Sequence, residues 1–316
     1  MVEGTSPPAV GRYGRRPAKQ APALRLASFL TGTVPKHPDA VDHGARMKNW
    51  KMLGNDAAGD CAAVCWANER RAVSTALGKA GYPTQAMVWK VYRSQNPGFR
   101  PGNGPHGYGS DDDQGMVMQT LAEYLHKTGG ADGVKSVAFA QVDITQREEL
   151  EAAVAIFGGV SWGVTVTQAN EDAFTAGKPW DWKPKSPVVG RHAVYGLGYT
   201  AADDERFITW ATPTRFTERF RQHQVDEAWV TIWPEHLGSK SFQAGVDLAA
   251  LTKAYKTLTG KDLVIPPKPK PPAKPDAADQ ALWKTTASWR KAPHTDPTVV
   301  KMIKALGDWG KAKGLK

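Results

Sequence analysis

The order of the predicted elements indicates an α+β fold, in which a helical half packs against a half made of antiparallel strands. Helical periodicity occupies the N-terminal part of the chain, over residues 61–80, 84–95 and 116–127. Strand-like patterns dominate the part that follows, up to about residue 232. Such a segregation of helices and strands along a chain is typical of α+β folds.

The helical half begins with the most regular of the three helices. Small and apolar residues recur from Cys61 onward, and nothing interrupts the pattern before Gly78. Asp60 is a suitable N-cap, which places Cys61 in the first helical turn. The third helix is expected to stop at the pair Gly129 and Gly130.

The strands of the second half are predicted from alternating or continuous apolar runs. Asp203 and Asp204 supply the turn between two of these strands. Thr145 and Glu148 have the spacing of a capping box, which predicts one more helix that ends near Ile156. The predicted strands cover residues 134–139, 159–167, 192–200, 206–210 and 227–232.

Most of the net charge of +10 lies at the two ends of the 316-residue chain. Residues 1–25 hold five arginines or lysines against one glutamate, and residues 266–316 hold eleven against four aspartates. The segment between them is nearly neutral. The basic ends are therefore expected either to anchor the protein to an acidic partner, such as nucleic acid or an acidic protein shell, or to serve as solubilising tails.

Composition divides the chain into four segments. Residues 1–24 are rich in Pro, Gly and Arg and are predicted to form a flexible basic arm. Residues 25–265 form the main domain, and the Pro/Lys run 266–275 forms a semi-rigid linker. Residues 276–316 are too few to bury much core, so their two predicted short helices are expected to dock onto a partner.

Several classes of protein are excluded or disfavoured. No apolar run of about 18 residues exists, so no membrane span is expected, and the N-terminus does not have the pattern of a secretory signal. The two cysteines, Cys61 and Cys65, are four apart in one helix, which suits neither a disulfide nor a zinc site and favours an intracellular origin. The acidic run 111–113 lacks the spacing of a calcium loop and is expected to be solvated. No metal or cofactor is predicted.

Cys61 and His192 are the candidate catalytic residues. A thiol attacks well only as a thiolate, and a helix N-terminus or a nearby imidazolium lowers its pKa. Cys61 is placed at a helix start, and His192 is placed on a strand that could hold the ring next to the sulfur.

Five signals in this order resemble the papain-like cysteine peptidase superfamily, from about residue 50 to 235. Asn55 stands six residues before Cys61, where that family has its oxyanion glutamine. The other signals are Gly115–Tyr124 with the following Gly-Gly, Gly158–Val164, His192–Val194, and Gly198 with Tyr199. The resemblance implies a papain-like fold for residues 25–265 and a peptide or protein substrate. It also implies Cys61 as nucleophile, His192 as base and Asn55 as oxyanion donor.

Two departures leave two functions open. Ile208 stands where the family has the asparagine that orients the histidine, and the adjacent Thr209 is expected to point away because side chains alternate along a strand. Asn55 is one methylene shorter than glutamine. The chain is therefore either a thiol hydrolase of the peptidase or amidase type, or a catalytically degenerate papain-like scaffold anchored to a large assembly.

The segment Asn55–Cys61, of the form Asn-Asp-x-x-Gly-Asp-Cys, and the stretch from Asp226 to Pro234 also resemble uncharacterised proteins of actinobacterial phages and prophages. This resemblance implies a phage-encoded product that is made in the host cytoplasm and joins the virion. Its partners would be capsid proteins or nucleic acid, bound through the basic ends, and no membrane.

Overall fold

The computed structural model describes residues 9–19, 21, 23–32, 34–78, 81–102, 112–265, 276–313 and 315. They divide into two compact units, one within residues 1–266 and the other within residues 267–316. The predicted linker 266–275 lies outside the described residues and stays a prediction. No helix among the described residues combines the length and apolar character needed to cross a bilayer.

Three helices form one half of the first unit: α1 (Cys61–Ala76), α2 (Gln85–Tyr92) and α3 (Met118–Lys127). They confirm the predicted helices to within a few residues. Helix α1 is buried over most of its length because it packs against the other two helices and against the sheet. It ends at Leu77, after which Gly78 turns the chain with a positive φ of 69°.

The other half is a seven-stranded antiparallel sheet, which confirms the predicted α+β class. The strands lie in the order β2-β7-β3-β4-β5-β6, and β1 pairs with β4. Strand β6 was not predicted because it contains Pro213, which is tolerated there since β6 is an edge strand. The strands are β1 (Val41–Asp42), β2 (Ala138–Gln141), β3 (Val160–Thr167), β4 (Val188–Tyr199), β5 (Glu205–Thr209), β6 (Thr212–Phe216) and β7 (Val225–Ile232).

Two irregularities of the sheet determine which side chains reach the site. Strand β4 carries one extra residue relative to β5, because Tyr195 pairs with Ile208 but Gly198 pairs with Arg206. The turn between β5 and β6 consists of two residues with positive φ, Trp210 at 43° and its neighbour at 59°.

The remaining helices of the first unit are α4 (Arg147–Phe157), α5 (Gln168–Thr175), α6 (Glu218–Gln224), α7 (Lys240–Gly245) and α8 (Leu248–Thr259), with 3₁₀ turns at Leu26–Phe29 and Pro234–Gly238. The predicted capping box at Thr145 is wrong, since α4 starts at Arg147 without a side-chain cap. The Thr145 hydroxyl and amide instead donate to the carboxylate of Asp143, at 2.7 and 2.9 Å.

Apolar side chains fill two cores, one on each face of the sheet. The first lies between the sheet and helices α1 to α3, and it includes Trp66, Tyr92 and Ile208. The second lies between the opposite face and α4, and it includes Trp162 and Phe216. Because β4 and β5 send alternate side chains to the two cores, a shift by one residue exchanges their environments.

The described residues of the second unit form three helices instead of the predicted two: α9 (Ala277–Thr285), α10 (Ala287–Lys291) and α11 (Pro297–Ala312). The guanidinium carbon of Arg290 lies over the ring of Trp283, 3.3 Å from the ring centroid. The ring of Trp283 also lies next to that of Trp309. Among these described residues, four large apolar side chains are exposed: Leu282, Trp289, Val300 and Met302.

Candidate functional site

Cys61 is the first residue of α1, where free backbone N–H groups and the helix dipole favour a negative charge. The loop that precedes it is tied down by Asp113, whose carboxylate accepts hydrogen bonds from the Gly59 amide, at 2.9 Å, and from the Tyr92 hydroxyl. The expectation of a solvated acidic run is therefore wrong for Asp113, while Asp111 lies outside the described residues.

The Cys61 thiol is closed off from solvent, with the residue only 2% exposed. Burial raises the pKa of the thiol to about 12, although the backbone amides of Ala193 and Gly14 favour the thiolate and act in the opposite direction. The thiol is therefore protonated near neutral pH. Cys65, one turn further along α1, is a core residue whose thiol lies 3.3 Å from the Ser161 hydroxyl.

His192 lies on β4 directly before Ala193, whose backbone amide favours the thiolate form of Cys61. Its Nε2 atom is 2.7 Å from the hydroxyl of Thr209, and its ring stacks on Trp210 with centroids 4.7 Å apart. Nδ1 has no hydrogen-bond partner among the described residues. Burial, followed by the nearby charge of Arg15, lowers the pKa of the imidazole to about 3. The ring is neutral in this closed state.

Thr209 therefore supplies the orienting group that His192 was expected to lack. Ile208 points into the core formed with α1 to α3, as strand alternation requires, and the next residue faces the imidazole. The prediction counted residues from His192 and was wrong by one position. Strand β4 contains one extra residue near Leu197, which lengthens the sequence distance from His192 to the facing residue of β5 by one. The expectation that Thr209 points away from the site is wrong.

Asn55 is buried at the same site. Its Nδ2 atom donates to the carbonyl oxygens of Arg12, at 3.0 Å, and Ala58, at 3.1 Å. Two residues with positive φ precede it, Leu53 at 56° and Gly54 at 103°, and they turn the amide toward the cleft. The structure thus brings all three predicted site residues to one cleft between the helical half and the sheet.

Residues 10–16, which we call the strap, lie across this cleft. The Arg12 amide donates to the Asn55 carbonyl, at 2.6 Å. The amides of Gly14 and Arg15 donate to the carbonyl of Arg191, at 3.3 and 3.2 Å. Met116 exchanges two further hydrogen bonds with the strap, at 2.7 and 2.8 Å. The strap is thus bonded to both halves of the unit.

Side chains of the strap also contact the site. Tyr13 approaches the His192 ring edge-on, with centroids 5.7 Å apart, and its hydroxyl donates to Glu171 at 2.6 Å. The guanidinium of Arg15 is fully buried. This differs from the flexible arm expected for residues 1–24, because glycines, backbone hydrogen bonds and one buried arginine hold the described part of that segment in place. No sequence signal pointed to Arg15 or Tyr13.

One group among the described residues has the spacing of metal ligands: His37, Glu148 and Glu151, whose ligand atoms lie within 4.8 Å of one another. These side chains are already engaged. His37 contacts Glu148 at 3.2 Å, and Glu151 pairs with Arg147 at 2.8 Å. The cluster is therefore explained by ion pairing.

No protein-family model matches the sequence, and no curated protein matches it significantly. The structure is similar to xylellain, a cysteine protease from Xylella fastidiosa, with a TM-score of 0.52 and 14% identity over 73% of this chain and 99% of the other. It also matches digestive procathepsin L2 proteinase from the larval midgut of Tenebrio molitor, with a TM-score of 0.44 and 15% identity over 64% and 70% of the two chains. The similarity to xylellain shows that the chain has the papain-like fold.

Proposed function

We propose that this protein is a thiol hydrolase that cleaves peptide or amide bonds and that the strap holds it in a closed, inactive state. The observation that carries the proposal is the setting of His192. Thr209 holds its Nε2 atom, and Nδ1 is left without a partner among the described residues. The amide of Ala193, the next residue, acts on the thiol of Cys61 at a helix N-terminus. A cysteine and an oriented histidine in this relation are the parts that nucleophilic catalysis needs.

Each group has one chemical role once the strap has left. His192 Nδ1 takes the proton of Cys61, and the thiolate attacks the substrate carbonyl carbon. Asn55 donates a hydrogen bond to the carbonyl oxygen as it becomes negative. His192 then gives the proton to the departing amine as the C–N bond breaks, and water hydrolyses the thioester to release the acid and restore the thiol.

The closed state blocks each of these steps. The Asn55 amide is engaged by the carbonyl of Arg12, and Gly14 packs against the backbone of Gly59, two residues before Cys61. Cys61 and His192 are both neutral because burial disfavours their charged forms. We therefore expect the unaltered chain to be inactive until the strap is displaced.

The substitution Gly14→Leu tests the proposal in the full chain. A β-carbon at Gly14 would lie 1.8 Å from the backbone oxygen of Gly59, so the close packing of the strap on this loop is lost. We expect iodoacetamide near neutral pH to label Cys61 at least about tenfold faster than in the unaltered chain, and faster than a free peptide thiol. Gly238→Leu is the matched control, because a β-carbon there meets no atom within 4 Å.

The same labelling separates the two functions. If Cys61 in the Gly14→Leu chain reacts no faster than a free peptide thiol, and His192→Ala leaves its rate unchanged, the pair is not activated. The catalytically degenerate scaffold is then the better description. Labelling is located by mass spectrometry, with the buried Cys65 as an internal reference.

We further propose that the protein is phage-encoded and particle-associated, and that the second unit fastens it to an acidic protein surface. The sequence resemblance supports the phage origin. The surface chemistry of residues 276–313 supports the docking role, since exposed Leu282, Trp289 and Met302 accompany an excess of lysines. Exposed aliphatic side chains among positive charges favour an acidic protein, because a protein surface offers apolar contacts next to its carboxylates.

A further inference from the structure

The guanidinium of Arg15 lies in a pocket of the sheet half that carries two carboxylates. One nitrogen donates to Glu227 at 2.9 Å, and the other contacts Asp226 and the carbonyl of Val164, the latter at 3.3 Å. The side chains of Arg15 and Glu227 are both fully buried, whereas that of Asp226 is 37% exposed. We call this the guanidinium pocket: Glu227 forms its base and Asp226 its mouth.

Neighbouring residues shape this pocket for a long basic side chain. Gly163 lies on β3 opposite Glu227, and a β-carbon there would come within 2.5 Å of Glu227 and 3.0 Å of the Arg15 stem. The indole of Trp229 donates to the second oxygen of Glu227 at 2.7 Å and fixes the carboxylate plane. The pocket therefore has room for an aliphatic stem and a preoriented acceptor at its end.

An empty pocket would leave a buried carboxylate without a cation. Removal of one partner from a buried ion pair is costly, because the remaining charge stays desolvated. Displacement of the strap removes Arg15, and the vacated pocket then favours any guanidinium that can replace it. Two carboxylates and a carbonyl around one planar fork suit arginine better than the single ammonium of lysine.

The pocket lies within reach of the reacting groups. The amide of Arg15 donates to the carbonyl of Arg191, the residue before His192. A peptide that made the same backbone bond would present its side chain to Glu227. On the basis of the hydrolase function proposed above, we propose that the guanidinium pocket is a specificity pocket that selects an arginine side chain in the substrate.

The test uses the full chain with Gly14→Leu and blocked tripeptides that carry a fluorogenic amide. Arginine or norleucine is placed in turn at each of the three positions. At one position we expect arginine to exceed norleucine by about tenfold or more in kcat/KM. Glu227→Gln should reduce that ratio by about tenfold, whereas Glu148→Gln, on the exposed surface of α4, should leave it unchanged. Asp226→Asn replaces Glu227→Gln if the latter fails to fold.

Hydrolysis with a ratio near one at every position, or a ratio that Glu227→Gln does not change, overturns the specificity pocket and leaves the hydrolase in place. If no peptide is cut, the hydrolase proposal fails and the pocket is judged by binding alone. In the full-length Arg15→Ala chain, millimolar N-acetylarginine amide should then raise the melting temperature, while N-acetylnorleucine amide should not. Equal or absent shifts also overturn the pocket.

Discussion

At the scale of single residues, His192 is held by two unusual neighbours. Thr209 offers a hydroxyl, which can either donate or accept, so it orients the ring without fixing which nitrogen carries the proton. Trp210 adopts a positive φ of 43°, which is unfavourable for a large side chain, and this conformation places its indole against the imidazole. The turn between β5 and β6 therefore helps to position the proposed base.

Removal of the Thr209 hydroxyl should lower the reactivity of the Cys61 thiol without changing the fold. Thr209→Val, in the Gly14→Leu background, is expected to slow Cys61 alkylation near neutral pH roughly tenfold, since a lost hydrogen bond to a buried group is worth about 1–3 kcal/mol. Thr209→Ser should restore most of the rate. The measurement is the pH profile of alkylation. An unchanged profile in Thr209→Val, equal to that of a Thr214→Val control, would show that Thr209 does not orient His192.

At the scale of elements, the strap shows how a segment without periodicity becomes ordered. Residues 1–24 have the composition of a disordered arm, yet the described residues 10–16 satisfy their backbone groups on both halves of the unit. Close approach depends on glycine, because a β-carbon at Gly115 would lie 1.9 Å from the carbonyl of Gly14. The strap is therefore held by non-local contacts that composition does not reveal.

Acid should open the strap. In the closed state the pKa of His192 is lowered to about 3, whereas an exposed histidine titrates near its ordinary value of 6.5. Between these values only the open form binds the proton, so a fall in pH through this range favours opening. Among the described residues, the titratable groups that act on or contact the ring are Arg15 and Tyr13, and a positive Arg15 further disfavours protonation in the closed state.

Hydrogen exchange of the Met116 amide, which donates to Gly14 of the strap, measures this opening. After correction for the intrinsic rate, protection should be lower near pH 5 than near pH 7 in the unaltered chain. The His192→Gln chain should show the same protection of the Met116 amide at both pH values. Equal protection at the two pH values in the unaltered chain would mean that His192 does not couple strap opening to pH.

At the scale of the whole molecule, the structure changes the meaning of the charge distribution. Arg12 and Arg15 of the N-terminal segment point into the first unit, where they bond to the Ala57 carbonyl and to Glu227. The basic surface proposed for docking is therefore better assigned to residues 266–316, which hold eleven lysines or arginines against four aspartates.

Deletion of residues 266–316 should weaken binding to an acidic protein. We expect the full chain to bind a fluorescent poly-glutamate peptide at low salt, and the chain that ends at residue 265 to bind it at least about tenfold more weakly. Fluorescence anisotropy at two salt concentrations measures this, with a short DNA duplex as comparison. Trp289→Ala reports the apolar contribution. Equal binding by both chains would remove the second unit from the docking proposal, and preference for the duplex would favour nucleic acid as the partner.

The α+β class, the helix that starts at Cys61 and the strand that carries His192 could all be predicted from the sequence. They follow from periodicity and capping, which depend on residues within a few positions of one another. The position of Asn55 within the same cleft could be predicted only through the resemblance to a known family. Local sequence patterns do not determine which distant segments of the chain come into contact.

Only the tertiary structure decided how the site is completed and closed. One extra residue in β4 places Thr209, and not Ile208, opposite the imidazole. Arg15 pairs with Glu227, which is 212 residues away in the sequence. This ion pair helps to hold the strap, a segment with the composition of a disordered arm, over the site. The physical reason is the same in both cases, since strand register and buried ion pairs are set by contacts between segments far apart in the chain.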